Sequence, residues 1–180
     1  MHMVAPVVWT PDMVRALPDD GQRYETVHGE LLVTPAPRVT HQRVLSRLLT
    51  ALVRYLDREP IGELLTSPAD ISLGDDSLVQ PDLFVVDAQD AGATAWADIK
   101  HLLLVVEVLS PSSVHADRTA KRALYQTHGI PTYWAVDADA RVVEVWTPLA
   151  EHAVVERERL RWRPSVAASP FELELTTLFA

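Results

Sequence analysis

Apolar residues recur every three or four positions between residues 40 and 58, and this spacing predicts a long helix with one buried stripe. Two further helices are predicted. Residues 10–17 form a short one, which Thr10 can cap at its start. Residues 116–128 form the other, which Gly129 ends.

Elsewhere the hydrophobic pattern alternates or becomes continuous, which predicts β-strands. Residues 102–109 are almost continuously apolar, as expected for a strand at the centre of a sheet covered on both faces. The other predicted strands are residues 23–27, 30–34, 63–66, 70–73, 82–86, 132–136 and 141–146, with weaker ones at 153–157 and 171–175. Helices and strands alternate along the chain, so the expected fold class is α/β.

The composition narrows the possible chemistry. With 180 residues, of which 48% are hydrophobic, we expect a single domain over residues 1–180. The chain has no cysteine, which excludes disulfides, thiolate metal ligands and thiol nucleophiles. Any bound metal ion must therefore have oxygen or imidazole ligands.

The first residues of the chain bear on its cellular location, and the net charge bears on nucleic-acid binding. Residues 1–9 are apolar but short and lack a basic leader, so we expect neither a signal peptide nor a membrane span, and a cytoplasmic location. The formal net charge of -9 argues against a broad, non-specific coat on nucleic acid. The net charge does not exclude a local basic surface, and alternate arginines over residues 157–163 predict a small one.

Two acidic residues indicate a functional site. Glu107 interrupts the apolar run 102–109, where an unpaired carboxylate would be costly to desolvate. A partner arginine would compensate it, and so would a metal ion shared with a second carboxylate. Asp82 opens the strand 82–86 and is the candidate for that carboxylate, although a Pro-Asp pair before a strand is more often only a turn.

Four other polar residues are weaker candidates. Asp117 and Lys121 have the spacing of an ordinary exposed ion pair, but a short loop after the central strand would also bring Lys121 near Glu107. His41 begins the long helix on its core side, where a lone histidine is more often a cap or a core residue than a ligand. Glu30 joins the site only if the fold brings its strand there.

Several short motifs follow one another in a distinctive order. They are Tyr24-Glu25, Gly29-Glu30-Leu31, Pro35-Ala36-Pro37, His41, Gln80-Pro81-Asp82-Leu83, residues 106–112, Asp117, Lys121, Tyr125, Gly129-Ile130 and residues 133–137. In this order they resemble the family named "putative restriction endonuclease" of the PD-(D/E)XK nuclease superfamily. The resemblance spans about residues 24–146.

The resemblance implies a restriction-endonuclease-like fold. Its core, at about residues 22–147, would be a mixed central β-sheet flanked by helices, with an N-terminal hairpin and extra C-terminal strands. The resemblance also implies a divalent metal ion, Mg²⁺ or Mn²⁺. Its ligands would be Asp82, Glu107 and the carbonyl oxygen of Val108.

The remaining site residues also follow from the resemblance. The superfamily's lysine usually lies two residues after the second acid, but Leu109 is at that position here. Lys121 on the following helix matches the lysine instead, and would orient the attacking water or stabilise the phosphorus. Glu30 and His41 match further family positions and would complete the catalytic set.

These residues leave three functions open. The full set of Asp82, Glu107 and Lys121 favours a metal-dependent endonuclease that hydrolyses DNA phosphodiester bonds. The acidic charge and the lack of a recognition domain favour a nuclease fold retained for binding or assembly without turnover. Hydrolysis of a small phosphoester needs the same metal site. The resemblance also predicts a homodimer, together with a hairpin around Trp134 and Trp146 whose aromatic residues are expected to be exposed.

Overall fold

A computed structural model describes residues 7–180 of the chain. Residues 1–6 fall outside the described residues, and with them most of the apolar stretch that was expected to be neither a signal peptide nor a membrane span. No helix within residues 7–180 combines the length and the apolar character that a membrane crossing needs. The helices are α1 (Pro11–Arg15), α2 (Val39–Leu56), α3 (Val114–Ala116), α4 (Arg122–Thr127) and α5 (Leu175–Leu178).

Twelve strands form three sheets within the described residues. They are β1 (Arg23–Val27), β2 (Glu30–Thr34), β3 (Gly62–Thr66), β4 (Ile71–Ser72), β5 (Leu78–Val79), β6 (Leu83–Asp87), β7 (Leu102–Val108), β8 (Tyr133–Asp137), β9 (Val142–Trp146), β10 (Val154–Glu156), β11 (Arg159–Trp162) and β12 (Phe171–Glu174). The main sheet has the order β10-β9-β8-β7-β6-β3. Only the β7–β8 pair in it is parallel.

The predicted mixed α/β fold is confirmed. Strand β7 lies between β6 and β8 at the centre of the main sheet, as its continuous apolar sequence predicted. The predicted N-terminal hairpin is β1 and β2, which belongs to a smaller sheet of order β2-β1-β5-β4. The extra C-terminal strands β11 and β12 form a two-stranded ribbon.

Helix α2 covers one face of the main sheet. Its apolar stripe, including Leu48 and Leu52, packs against the strand residues Leu104 and Val106. Both leucines are fully buried, and each such burial stabilises the fold by roughly 1.5–3 kcal/mol. The ribbon and α5 extend the same cluster.

The smaller sheet and residues 114–127 cover the opposite face. Val27 and Val79 from the smaller sheet meet Phe84 and Val105 of the main sheet in a second apolar cluster. Residues 114–127 form one continuous helical segment in which α3 and α4 are joined by a π-helical turn, Asp117–Lys121. This is the layer that positions the candidate site.

Two predictions about the surface are wrong. Arg159 and Arg161 belong to β11, a strand that the sequence did not predict, and they form ion pairs with Glu174 and Glu172 on β12. Two of the four arginines of the predicted basic patch are therefore neutralised. Trp134, expected to be exposed for dimerisation, is fully buried. The homodimer and the single domain over residues 1–180 stay predictions.

Candidate active site

The register of two central strands brings Asp82 and Glu107 together. Asp82 directly precedes β6, and Glu107 is the penultimate residue of β7. Leu83 pairs with Val106 in the antiparallel register, so the two acidic residues lie at the same end of the sheet.

Both carboxylates also lie on the same face. Alternation along the strands places Asp82 with Phe84 and Glu107 with Val105, and these two apolar residues share the cluster beneath the 114–127 helical segment. Two carboxylates can bind the same metal ion only in such an arrangement.

Three groups from three elements hold the Asp82 carboxylate. The guanidinium of Arg23 on β1 donates to Oδ1 at 2.7 Å. His41 in the first turn of α2 lies 3.0 Å from Oδ2 through its Nε2. The backbone N–H of Val108 donates to the same Oδ2 at 2.8 Å. Asp82 is only 4% exposed, so these contacts replace the water it would otherwise bind.

The Glu107 carboxylate has a different environment. Its Oε1 accepts hydrogen bonds from the Lys121 ammonium at 3.1 Å and from the Tyr125 hydroxyl at 2.9 Å. No hydrogen bond within the described residues ends at its Oε2. Glu107 is 1% exposed and lies deeper than Asp82.

Lys121 lies among three buried carboxylates. Its Nζ is 2.8 Å from Glu25 Oε2, 3.1 Å from Glu107 Oε1 and 3.3 Å from Asp117 Oδ1. Because Lys121 and Asp117 are each 1% exposed, the alternative of an ordinary exposed ion pair is wrong. Both residues lie in the π-helical turn, a helix irregularity that occurs frequently at functional sites.

The pKa values of Asp82 and Glu107 are shifted in opposite directions. Burial by itself would raise the pKa of Asp82, but the hydrogen bond from His41 and the charge of Arg23 lower that pKa to about 2. Burial dominates at Glu107 and raises its pKa to about 8, although the Lys121 charge opposes the shift. Burial likewise raises the pKa of Asp117.

The buried cluster carries more negative than positive groups. Its carboxylates are Asp82, Glu107, Glu25 and Asp117, and its fixed cations are Arg23 and Lys121. Two buried carboxylate oxygens, Glu25 Oε2 and Asp117 Oδ1, have no hydrogen-bond partner within the described part of the chain. Both oxygens lie within ion-pair distance of the Lys121 ammonium, but these contacts do not have the geometry of hydrogen bonds.

The cluster fits a divalent cation in charge and ligand type. The four carboxylates outnumber the two fixed cations by two. Their hard oxygens are the donors that Mg²⁺ and Mn²⁺ prefer. Within residues 7–180, however, no three His, Asp or Glu side chains are arranged as a ready metal-binding group. Arg23 and Lys121 neutralise part of the charge that an ion would balance.

A pocket of about 510 Å³ opens at the Asp82 side of the cluster. Asp82, Arg23 and His41 line it, together with the loop before α2 and the loop that follows β7. Glu107 and Lys121 do not line this pocket. A molecule from solvent that enters the pocket therefore meets Asp82 first.

The structure brings together four of the five predicted catalytic residues. Asp82 and His41 are in direct contact, as are Glu107 and Lys121. Glu30 is exposed beside the β1–β2 turn, and no hydrogen bond or ion pair within residues 7–180 links it to the cluster. Val108, expected to offer its carbonyl to the ion, uses its N–H to hold Asp82.

The roles of Arg23 and Glu25 were not predicted from the sequence. A signal was available, because Arg23, Glu25 and Val27 alternate along β1 and so share one face, and Val27 is apolar. A partner arginine was considered for Glu107, but Arg23 pairs with Asp82. Glu25 also accepts the backbone N–H of Gln80 at 2.7 Å, which ties the hairpin to the residues before β6.

Known proteins resemble the chain in fold and in sequence family. No curated protein matches the chain. A crystal structure from Anabaena variabilis ATCC 29413, described as a putative nuclease belonging to DUF820, has a TM-score of 0.79 and 22% sequence identity. The match covers 95% of this chain and 97% of that chain, and at this identity it shows the fold alone. The Uma2 family model, described as "Putative restriction endonuclease", matches residues 11–177. The chain therefore belongs to the family that its motif order predicted.

Proposed function

We propose that the chain is a metal-dependent endonuclease that hydrolyses DNA phosphodiester bonds. One observation carries the proposal: Asp82 and Glu107 are buried on the same face and at the same end of the sheet, Asp82 lines a pocket, and the carboxylates of the cluster outnumber its basic groups. Asp82 and Glu107 would hold the ion. When bound, Mg²⁺ or Mn²⁺ lowers the pKa of water and neutralises charge on the phosphate.

The protein's own groups have separate tasks in this proposal. Arg23 and the N–H of Val108 fix the orientation of the Asp82 carboxylate. His41, in contact with Asp82 Oδ2 and lining the pocket, is placed to exchange a proton with a group in the pocket. The enclosed surroundings of Lys121 support a positioning role toward Glu107 rather than direct contact with a phosphate.

Nicking of supercoiled plasmid tests the proposal. Wild-type protein with Mg²⁺ or Mn²⁺ is expected to nick the plasmid, while Asp82→Asn and Glu107→Gln lose most of the activity because each removes a negatively charged ligand. The matched controls are Asp139→Asn and Glu151→Gln, which make the same chemical changes at exposed positions. Circular dichroism of each variant separates lost chemistry from lost folding. Nicking that persists in both site variants would contradict the assignment.

Metal binding is measurable without any substrate. An ion that binds only the folded state stabilises it by about 2.7 kcal/mol when its concentration is a hundred times its Kd. We expect the wild-type melting temperature to rise with Mg²⁺ or Mn²⁺ and both site variants to lose that rise. An unchanged melting temperature in the wild type would argue against the metal site.

A second candidate function is binding or assembly without turnover. It is favoured by the occupied Asp82 carboxylate, because Oδ1 contacts Arg23 and Oδ2 contacts both His41 and Val108. An ion at Oδ2 would have to displace one of its two present partners. The absence of both nicking and metal stabilisation, in a protein that still binds DNA, would support this alternative.

A further inference from the structure

The outer end of the cluster, at Asp82 and His41, is reached from a pocket. Asp82 and His41 are only 4% and 6% exposed, and both line the same pocket of about 510 Å³. This volume lies within the range of roughly 300–1,000 Å³ that suits one small molecule. A base that enters a pocket of this size must first leave its base pair.

The start of helix α2 offers unpaired donors at this pocket. Arg38 is the N-cap residue, is exposed, lines the pocket and forms no ion pair within the described residues. The N–H groups of Val39, Thr40 and His41 have no hydrogen-bond acceptor within residues 7–180, because the first helical bond of α2 runs from Gln42 to Arg38. Such a helix start favours an anion.

His41 is a second, independent sign of a ligand. Its side chain lines the pocket and is almost completely buried, yet its Nδ1 has no hydrogen-bond partner within the described part of the chain. A buried ring nitrogen without a partner is uncommon, because leaving it unpaired costs free energy. A polar group bound in the pocket would lie against this ring.

The rest of the lining suits a nucleobase. Pro35 and Pro37 come from the loop before α2, Pro68 from the loop after β3 and Pro111 from the loop after β7. They give the pocket apolar surface, while the Gln42 side chain, which makes no hydrogen bond within residues 7–180, can meet the polar edge of a base. The lining thus combines cationic, apolar and hydrogen-bonding parts.

We propose that this pocket takes one unpaired nucleotide of a DNA strand, with the phosphate at Arg38 and the start of α2 and the base against the proline walls. The protein then acts on single-stranded or locally opened DNA in preference to intact duplex. The identity of the nucleic acid rests on the proposed function, whereas the preference for an unpaired nucleotide concerns binding and does not require cleavage.

Fluorescence anisotropy of labelled DNA tests this preference. The full chain is titrated into a short single strand, into the same sequence as a blunt duplex and into the matching RNA strand, all in EDTA so that cleavage cannot occur. The single DNA strand is expected to bind at least about tenfold more tightly than the duplex, a difference of about 1.4 kcal/mol. Equal affinity for strand and duplex overturns the proposal, and tighter binding of RNA overturns its assignment to DNA.

Two pairs of variants place the binding in the pocket. Arg38→Ala is expected to weaken single-strand binding several-fold, while Arg43→Ala, the same change at an exposed position of α2 outside the pocket, leaves it unchanged. Ala36→Trp fills the pocket without altering charge, and its control is Ala93→Trp in an exposed loop. If Arg38→Ala and Ala36→Trp both bind like their controls, the pocket is not the binding site.

The outcomes separate this inference from the proposed function. Strand-selective binding that depends on Arg38, with no nicking in any metal, leaves the inference intact and removes the nuclease. Nicking without any preference for an unpaired strand does the reverse.

Discussion

Asp82 and Glu107 are neighbours on one sheet face, yet the protein surrounds them differently. Asp82 lies at a pocket and is held by Arg23, His41 and a backbone N–H, and its pKa is lowered to about 2. Glu107 lies behind it, and burial raises its pKa to about 8 despite the nearby ammonium of Lys121. Asp82 is therefore kept ionised beside the pocket, and Glu107 is kept largely protonated in the interior.

This difference between Asp82 and Glu107 explains how the fold accommodates more buried carboxylates than cations when no ion is bound. Fixed cations and hydrogen bonds stabilise the outer carboxylate as an anion, whereas protonation offsets the charge of the inner one. A divalent ion between them would favour loss of the inner proton.

The largest effect is expected when the inner cluster loses its cation. Lys121→Met leaves Glu25, Glu107 and Asp117 buried without an ammonium, and removal of one partner from a buried ion pair costs about 3–5 kcal/mol. Urea denaturation measures the loss. Lys100→Met is the matched control, because the chain's only other lysine is exposed and its loss should change stability by less than about 0.5 kcal/mol. Similar effects of the two substitutions would show that the cluster does not depend on Lys121.

The next effect separates the two acidic residues directly. At pH 7 and without metal, Asp82→Asn replaces a charged acceptor of three contacts and is expected to destabilise the fold by about 2–3 kcal/mol. Glu107→Gln resembles the protonated acid that the raised pKa favours, so it should not destabilise the fold at this pH. Chemical denaturation of both variants checks the ranking. A larger loss for Glu107→Gln would reverse the assignment of the charged and the neutral carboxylate.

The sequence predicted the elements whose hydrophobic pattern is strong. Helix α2 and strand β7 appear close to their predicted limits because a long amphipathic stripe and a continuous apolar run each favour one structure. Strand β11 was missed because its alternate arginines suggested a basic patch, whereas Leu160 and Trp162 between them are buried. Its pairing with β12 is a tertiary contact that local propensity does not reveal.

The candidate site was predictable only in part for a similar reason. Glu107 was visible because a charge inside an apolar run requires compensation, and Asp82 because of its position at a strand start. Glu25 resembles a solvent-facing residue of a short hairpin until that hairpin packs on the main sheet. The contact between His41 and Asp82 joins helix α2 to the end of the central sheet, and no local spacing indicates it.

The third prediction uses pH to separate the same two groups. Asp82 has a lowered folded-state pKa, so its contribution to stability is present above about pH 4 and is lost as the pH falls toward about 2. Glu107 has a raised folded-state pKa of about 8, so its protonated form favours folding at low pH and stability declines as the pH rises from about 4.5 to 8. The slope for one group is at most about 1.4 kcal/mol per pH unit. Denaturation curves in EDTA should show the neutral-range slope in the wild type and lose it in Glu107→Gln. An equal slope in both proteins would assign the proton to another group.

The smallest effect concerns the hydroxyl that completes the inner carboxylate's contacts. Tyr125→Phe removes the hydrogen bond to Glu107 Oε1 while the ring remains packed, and a buried hydrogen bond of this kind contributes about 1 kcal/mol. Tyr24→Phe is the matched control, since its hydroxyl binds Asp20 at the surface and should contribute less than about 0.5 kcal/mol. Because the Tyr125 hydroxyl also favours the ionised form of Glu107, its removal should move the neutral-range stability slope toward higher pH. Equal stability losses in the two variants would show that Tyr125 contributes packing alone, and that Lys121 is the group that holds the inner carboxylate in place.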